Sequence, residues 1–324
     1  MTLIFKTLRL TAVALAATAT FAGVASAELD ADLPDYSQAS GISGDLRSVG
    51  SDTLSNLMTR WGETFVGMYP QVNFEAESKG SGTAPPALIE GTAQMGPMSR
   101  EMKGEEADKF REAFGYEPTL MRAGIDAIAV FVHKDNPIEK LTIDQLAQIF
   151  SVDGKDGITW GDVGVTDEAF ADQPISLYGR NSASGTYGFF KEAALGKADF
   201  KATVKEQPGS SAVVQGTGTD RLGIGYSGVG YATPSVRTVP IVGDDGDAYD
   251  PSNPDDVYSD SYPLARFLLI YVNKAPNEAL DPVVAEFAKL ILSRQGQEVV
   301  EQESFYPLST YLVEQERQQL GLGE

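Results

Sequence analysis

The sequence predicts an α/β fold, because short apolar runs that read as strands alternate along the chain with segments of helical periodicity. Two observations carry the prediction. The run Ala127-Ile128-Ala129-Val130-Phe131-Val132 is apolar on both faces, as a central strand covered on both sides must be. A strand, a glycine/serine turn and a helix start also follow one another three times, at Gly50-Ser51-Asp52-Thr53, Gly80-Ser81-Gly82-Thr83 and Ser184-Gly185-Thr186. No repeat of solenoid length is visible.

Taken in order, residues 28–45 are polar and read as an irregular arm. Residues 46–49 form a short strand before the first turn. From 53 to 69 the residues Leu54, Leu57, Met58, Trp61, Phe65 and Met68 recur at helical spacing and make one apolar face. A strand at 72–76 leads into the second turn, and Pro85 and Pro86 suit the first turn of the helix that follows. Residues 93–98 are a further strand, ending at Ser99-Arg100. Thr142 and Gln145 form a capping box for a helix carrying Leu146, Ile149 and Phe150. Ile175-Ser176-Leu177-Tyr178 is a strand leading to the third turn, and 187–195 continues as helix. Strands are expected at 224–228, 238–242 and 267–272. Residues 243–260, rich in Asp, Pro, Ser and Gly without periodicity, read as a loop. Asp281-Pro282 opens a helix that buries Val284, Phe287, Leu290 and Ile291.

Residues 1–27 read as a secretory signal peptide: Lys6 and Arg9 form the basic end, 10–24 is apolar and small, and Ala25-Ser26-Ala27 fits a cleavage site. That apolar stretch is short for a membrane span. The chain has no cysteine, so neither a lipid anchor on a cysteine nor a disulfide framework is expected. An exported chain is implied, in the periplasm, with secretion left open. Of 324 residues, 297 follow the leader, enough for two domains of ordinary size. Net charge is −21, and losing the two cations Lys6 and Arg9 makes it −23. Such a surface repels nucleic acid and anionic lipid.

The same surface also repels small anions at long range, yet the turns look built to hold one. A helix start presents N–H groups without internal partners and the positive end of the macrodipole. In Arg180-Asn181-Ser182-Ala183-Ser184-Gly185-Thr186, glycine permits close approach, hydroxyls donate, and the arginine adds a forked permanent charge. The plainer reading, that Ser184 or Thr186 simply caps a helix, explains most such residues. Salt screens charge over ~8–10 Å, whereas a desolvated cleft works at hydrogen-bond range, so an acidic surface and an anion site are compatible. Three such turns at the carboxyl ends of strands in one sheet would give a tetrahedral anion a full shell of donors with one arginine for charge.

These three turns resemble those of the PstS family, the binding proteins of bacterial high-affinity phosphate import, and the likeness extends over nearly all of the chain after the leader. The resemblance implies a two-lobed periplasmic-binding-protein fold of type II, with lobe I at 45–121 plus 262–324, lobe II at 122–261, and the cleft between two crossing segments. It implies phosphate held by Thr53 and the N–H of Leu54, by Ser81, and by Arg180, Ser184, Gly185 and Thr186. Asp126, Asp135-Asn136-Pro137 and Tyr262-Pro263-Leu264-Ala265-Arg266 also resemble the family pattern. Where the family commonly has a cleft aspartate this chain has Ser99, beside Arg100: either the Ser99 hydroxyl itself contacts phosphate and discrimination against sulfate or arsenate is weaker, or another acid such as Asp52 or Glu101 fills the role. Arg100 itself reads as a second anion contact or, in preference, as half of a salt bridge with Glu101 or Asp126.

The implied partners are inorganic phosphate and a membrane ABC permease, with no cofactor, no metal, no nucleic acid and a monomeric state. Ser99 keeps open a receptor for another tetrahedral oxyanion such as sulfate or arsenate. A secreted phosphate-ester hydrolase is disfavoured, since His133 is the single histidine and no base neighbours a hydroxyl nucleophile. Gly225-Tyr226-Ser227-Gly228 lacks the spacing of a nucleophile elbow, and the aspartates of 244–260 match no EF-hand loop. An adhesion protein that retains the fold is a third reading.

Overall fold

The computed structural model describes residues 29–323, so the leader peptide lies outside the described residues. Among them the chain runs β1 (Gly44–Gly50), α1 (Ser55–Met68), β2 (Val72–Ser78), α2 (Ala84–Ile89), β3 (Met95–Met98), α3 (Gly104–Phe114) and β4 (Thr119–His133). Then come β5 (Leu141–Thr142), α4 (Ile143–Phe150), β6 (Ser176–Arg180), α5 (Gly185–Ala193), β7 (Lys205–Gln207), α6 (Ser210–Thr219) and β8 (Gly223–Gly228). Next are β9 (Val236–Val239), β10 (Ile241–Val242), β11 (Ala248–Tyr249), α7 (Pro254–Tyr258) and β12 (Ala265–Val272). Helices α8 (Pro282–Ile291), α9 (Arg294–Gln302) and α10 (Thr310–Leu320) close the chain.

The main sheet has the order β2-β1-β3-β12-β4-β8-β6-β7, with β9 also paired to β4. Strands β1, β2 and β3 are mutually parallel, as are β6, β7 and β8, and the antiparallel β12 and β4 join the two groups. A separate small sheet has the order β11-β10-β5.

Two large apolar cores form at the two ends of the main sheet. One gathers Leu46, Leu57, Trp61, Phe65, Met121, Ala123 and Leu268 with the closing helices. The other gathers the run from Ala127 to Val132 with Phe150, Phe190, Tyr226, Tyr262 and Leu264. The chain passes between them twice, within β4 after Ala123 and around Leu264 to Leu268 on the way into β12. The expected apolar face of α1 is the one that packs: Leu57, Met58, Trp61 and Phe65 are buried, and the Trp61 indole N–H donates to Gly296 O at 2.8 Å. Burying side chains of this size contributes ~1.5–3 kcal/mol each. In the second core the Phe190 ring stacks on Tyr226 at 4.0 Å, with Phe150 edge-on to both, and so seats α5 against β8.

Several expectations are corrected. The α1 region opens with a tight 3-10 turn, Asp52–Leu54, rather than with α-helix. The central strand expected at 127–132 is present, as the second half of a fifteen-residue strand. The strand expected at 238–242 is two strands in different sheets, because Pro240 has no N–H to continue a ladder. Residues 243–260 are not all loop. They hold β11 and the short α7, which starts from an Asn253 cap with Pro254 in its first turn.

Lys201 fixes the end of α4 in a way the sequence does not advertise. Its ammonium donates to Gln148 O at 2.7 Å and Ile149 O at 3.0 Å, carbonyls that the last helical turn leaves open, and to Lys155 O in the following loop at 2.7 Å. Burial pushes its pKa down, and the charge of Asp156 offsets that shift only in part. Lys201→Met keeps the stem and removes three charged donors. We expect a loss of about 2–3 kcal/mol in urea unfolding, and an unchanged midpoint would show that water replaces the ammonium freely.

Candidate functional site

The strand–turn–helix segments bring their polar residues to one place, at the carboxyl ends of β1, β2, β3 and β6. Thr53 Oγ1 lies 2.9 Å from Thr186 Oγ1 although 133 residues separate them. Ser81 Oγ accepts from the Ser99 N–H at 3.0 Å and sits 3.3 Å from Ser99 Oγ, which in turn takes the Ser51 hydroxyl at 2.9 Å. Ser81, Ser99 and Thr186 are completely buried. Gly185, the first residue of α5, is packed so closely on this cluster that a Cβ there would fall 2.5 Å from Ser99 Oγ and nearer still to Ser81 Oγ. Gly80 meets the facing turn in the same manner: it has φ +113, and a Cβ on it would lie 2.6 Å from Ala183 O. Gly82 N–H donates to that carbonyl at 3.1 Å.

Ser184 does cap its helix, accepting from the N–H groups of Thr186 (3.1 Å) and Tyr187 (3.3 Å). The cap uses the oxygen's lone pairs, so the hydroxyl proton remains available to an acceptor. Leu54 reaches the site only through its backbone, since its side chain is fully buried in the first core.

Arg180 ends β6 and is almost wholly buried. One guanidinium nitrogen donates to Ser210 Oγ at 2.7 Å, a second lies 3.3 Å from Asp52 Oδ2, and Nε has no partner. Burial pushes its pKa down while Asp52 pulls it back up, so the cation persists. Its own N–H leans on the Tyr226 hydroxyl at 3.3 Å, which couples the strand end to the Phe190 stack beneath α5.

The expectation of a single arginine is corrected, because Arg266 also enters the cluster. It donates to Thr186 Oγ1 at 2.9 Å and to Ser99 O at 2.6 Å, and it forks onto Asp126 Oδ2 at 2.8 and 3.1 Å. Burial raises the Asp126 pKa, and Arg266 works against that shift. The signal that could have found this pair is a lone charge just before each of two apolar strand runs, Asp126 before 127–132 and Arg266 before 267–272. Ser51 and Ser210 were also missed as cluster members, and a hydroxyl at a turn or helix start is too common a feature to single them out. Arg100 is engaged in a salt bridge, but with another partner than expected: it forks onto Glu106 at 2.8 Å, in the first turn of α3. Glu101 is exposed.

Chemically the cluster offers donors: the hydroxyls of Ser51, Thr53, Ser81, Ser99, Ser184, Thr186 and Ser210, the open N–H groups of three helix starts, and two guanidinium groups held by two carboxylates. His133 stands at the far end of β4. Among the described residues no group of three or more His, Cys, Asp or Glu could hold a metal ion, and no helix is long and apolar enough to cross a membrane.

The model of the PBP superfamily domain matches residues 36–295. A Pseudomonas aeruginosa relative named phosphate-binding protein PstS is 51% identical over 306 residues, covering 93% of this chain and 94% of its own. The chain belongs to the PstS family. A more distant PstS from Staphylococcus haemolyticus is 28% identical over 259 residues, covering 79% of this chain and 78% of its own. Among solved structures, a candidate phosphate ABC transporter substrate-binding protein from Clostridium perfringens, with phosphate bound, superposes with a TM-score of 0.68. It is 25% identical and covers 82% of this chain and all of its own. An ABC-type phosphate transport receptor from Vibrio cholerae, 22% identical with a TM-score of 0.64, covers 81% of this chain and 100% of its own and shares the fold. The architecture is thus the two-lobed type II form of PstS proteins.

Proposed function

We propose that this chain captures inorganic phosphate outside the cytoplasm and delivers it to an ABC permease. The observation that carries the reading is the burial of three helix starts and two arginines against one another in a PstS fold. In this reading the lobes are 45–121 plus 262–324 and 122–261, while the cores change hands a few residues later at each crossing, after Ala123 and between Leu264 and Leu268. Phosphate lies between Thr53, the Leu54 N–H, Ser81 and Ser99 on one side and Arg180, Ser184, the Gly185 N–H and Thr186 on the other.

In this reading the neutral Thr53–Thr186 hydroxyl contact across the cleft exchanges for charge-assisted bonds to the anion, which are roughly twice as strong. Such bonds contribute ~1.5–3 kcal/mol each, so a handful reaches the ~8 kcal/mol of micromolar binding despite the acidic surface. Helix starts and strand ends hold the donors before the ligand arrives, which limits the entropy lost on binding. Hinge closure then presents a ligand-dependent surface to the permease. The protein acts as a periplasmic monomer, needs no cofactor and catalyses no reaction.

Calorimetric titration of phosphate-stripped protein tests this directly. We expect phosphate to bind at micromolar concentration or tighter and sulfate to be rejected. Equal binding of both would make the protein a general oxyanion receptor, and binding of neither would end the transport reading.

A further inference from the structure

Arg266 belongs to two places at once. Its guanidinium holds Asp126 and Thr186 in the cluster, and it also lies over the Phe189 ring, 5.3 Å from the centroid, in the wall of a separate cavity of about 720 Å³. That volume is within the ~300–1,000 Å³ usual for small-molecule sites. The cavity sits where the chain crosses between the two cores, against Leu120 and Arg122 of β4 and Phe267 of β12. Helix α5 supplies Gly188 and Phe189 from the side of the second core, while Lys103 and Glu316 of α10 come from the side of the first.

The lining combines flat apolar surface with positive charge. Phe267 is 37% exposed, although Leu268 to Val272 of the same strand are all buried, and the Arg122 guanidinium lies 5.3 Å from its ring centroid. Arg100, Arg122 and Arg266 are each answered by a carboxylate, from Glu106, Glu316 and Asp126 respectively. Lys103 is not: its ammonium makes no hydrogen bond or ion pair among the described residues, and only the charge of Glu106 acts on it from nearby. Of the acids in the lining, Glu316 is spent on Arg122, Glu192 pairs with Lys197 at 3.1 Å, and Glu101 is exposed to water. An unanswered cation beside two phenyl rings suits a ligand with a flat apolar body and one negative charge.

We propose that this cavity is an effector site for a small organic anion with a flat apolar body, an aryl carboxylate or sulfonate, and that its occupancy strengthens phosphate binding. The site itself is separate from the cleft, and only its coupling rests on the phosphate reading above. A ligand that touches α5 on one side and Lys103 and Phe267 on the other is held in full only while the two sides stand together. The same approach brings Thr186 of α5 onto Thr53 and Arg266. Both ligands therefore favour one arrangement of the lobes, and each raises the affinity of the other by the same factor.

The test titrates the mature protein with anilinonaphthalene sulfonate, read by its fluorescence, with and without saturating phosphate. We expect one saturable site that phosphate tightens by at least about fivefold, and calorimetry to show the probe tightening phosphate by the same factor. Phe267→Ala and Lys103→Glu should each weaken the probe about tenfold or more, with phosphate binding in its absence unchanged. The two positions lie on different elements, so one variant decides if the other fails to fold. Displacement of the probe by phosphate would place it in the cleft and overturn the proposal. Indifference of the probe to phosphate, undiminished binding by both variants, or no saturable binding would overturn it too. If the unaltered protein binds no phosphate, the functional reading fails on its own, and the cavity stands or falls by the probe's loss in the two variants.

Discussion

Alanine at Gly185 will weaken phosphate binding at least about a hundredfold, or about 2.8 kcal/mol, while leaving thermal unfolding nearly unchanged. The two effects separate because the glycine is needed for approach and not for conformation. Gly185 begins α5 with an ordinary backbone that alanine adopts readily, so the helix is not weakened. What alanine cannot do is occupy the same space, since its Cβ would lie 2.5 Å from Ser99 Oγ with Ser81 Oγ closer still. Both hydroxyls belong to the opposite lobe, so the conflict falls on closure, where α5 must bring its open N–H groups to the anion. Gly80→Ala is the contrasting case. It lies at φ +113 and against Ala183, so that variant should lose stability as well as affinity. Calorimetry and a melting curve on the two variants make the comparison. A Gly185→Ala protein that binds phosphate normally would show that α5 does not close on the ligand as the geometry requires.

The parts of this site that were legible in the sequence are those built from neighbours along the chain. Arg180 and the Ser184-Gly185-Thr186 turn lie in one short segment, Arg180 four residues ahead of Ser184, and both the cap and the close approach are written in residue types whose local behaviour is restricted. The same holds for Thr142 with Gln145, where the expected reciprocal cap forms. What could not be read is pairing across the fold. Asp126 meets Arg266 140 residues away because β4 and β12 are adjacent antiparallel strands in register at that point, and neither strand announces its partner. Asp52 meets Ser210 158 residues away because closure of two lobes brings a turn against a helix start. Helix α3 was missed for a different reason. Its sequence GEEADKFREAF buries Phe110 alone, so there is little apolar periodicity to detect. Lys201 is the extreme case: a lysine reads as surface until the carbonyls around it are known.

Arg266→Ala is expected to destabilise the protein by about 3–5 kcal/mol at neutral pH, more than any substitution of the hydroxyl cluster. Asp126 is completely buried and one of its oxygens already has no partner, so removing the guanidinium leaves an unpaired charge between the two cores. The pH dependence follows from the direction of its shift. Burial raises the Asp126 pKa above its value in the unfolded chain even with Arg266 present, so the folded state binds that proton more tightly than the unfolded state does. Acidification through the raised pKa therefore favours the variant's fold, and the full penalty appears only above it. Urea unfolding of the variant at pH 5 and pH 8 should show the larger loss at pH 8. Adding Asp126→Asn should recover most of the stability, because the uncompensated charge and not the missing arginine is the source of the damage. Phosphate binding should stay weak in both variants, since Thr186 loses its charged neighbour in each. If the double variant proved as unstable as Arg266→Ala alone, the bond from Arg266 to Ser99 O, which ties β12 to the end of β3, would be the stronger contribution.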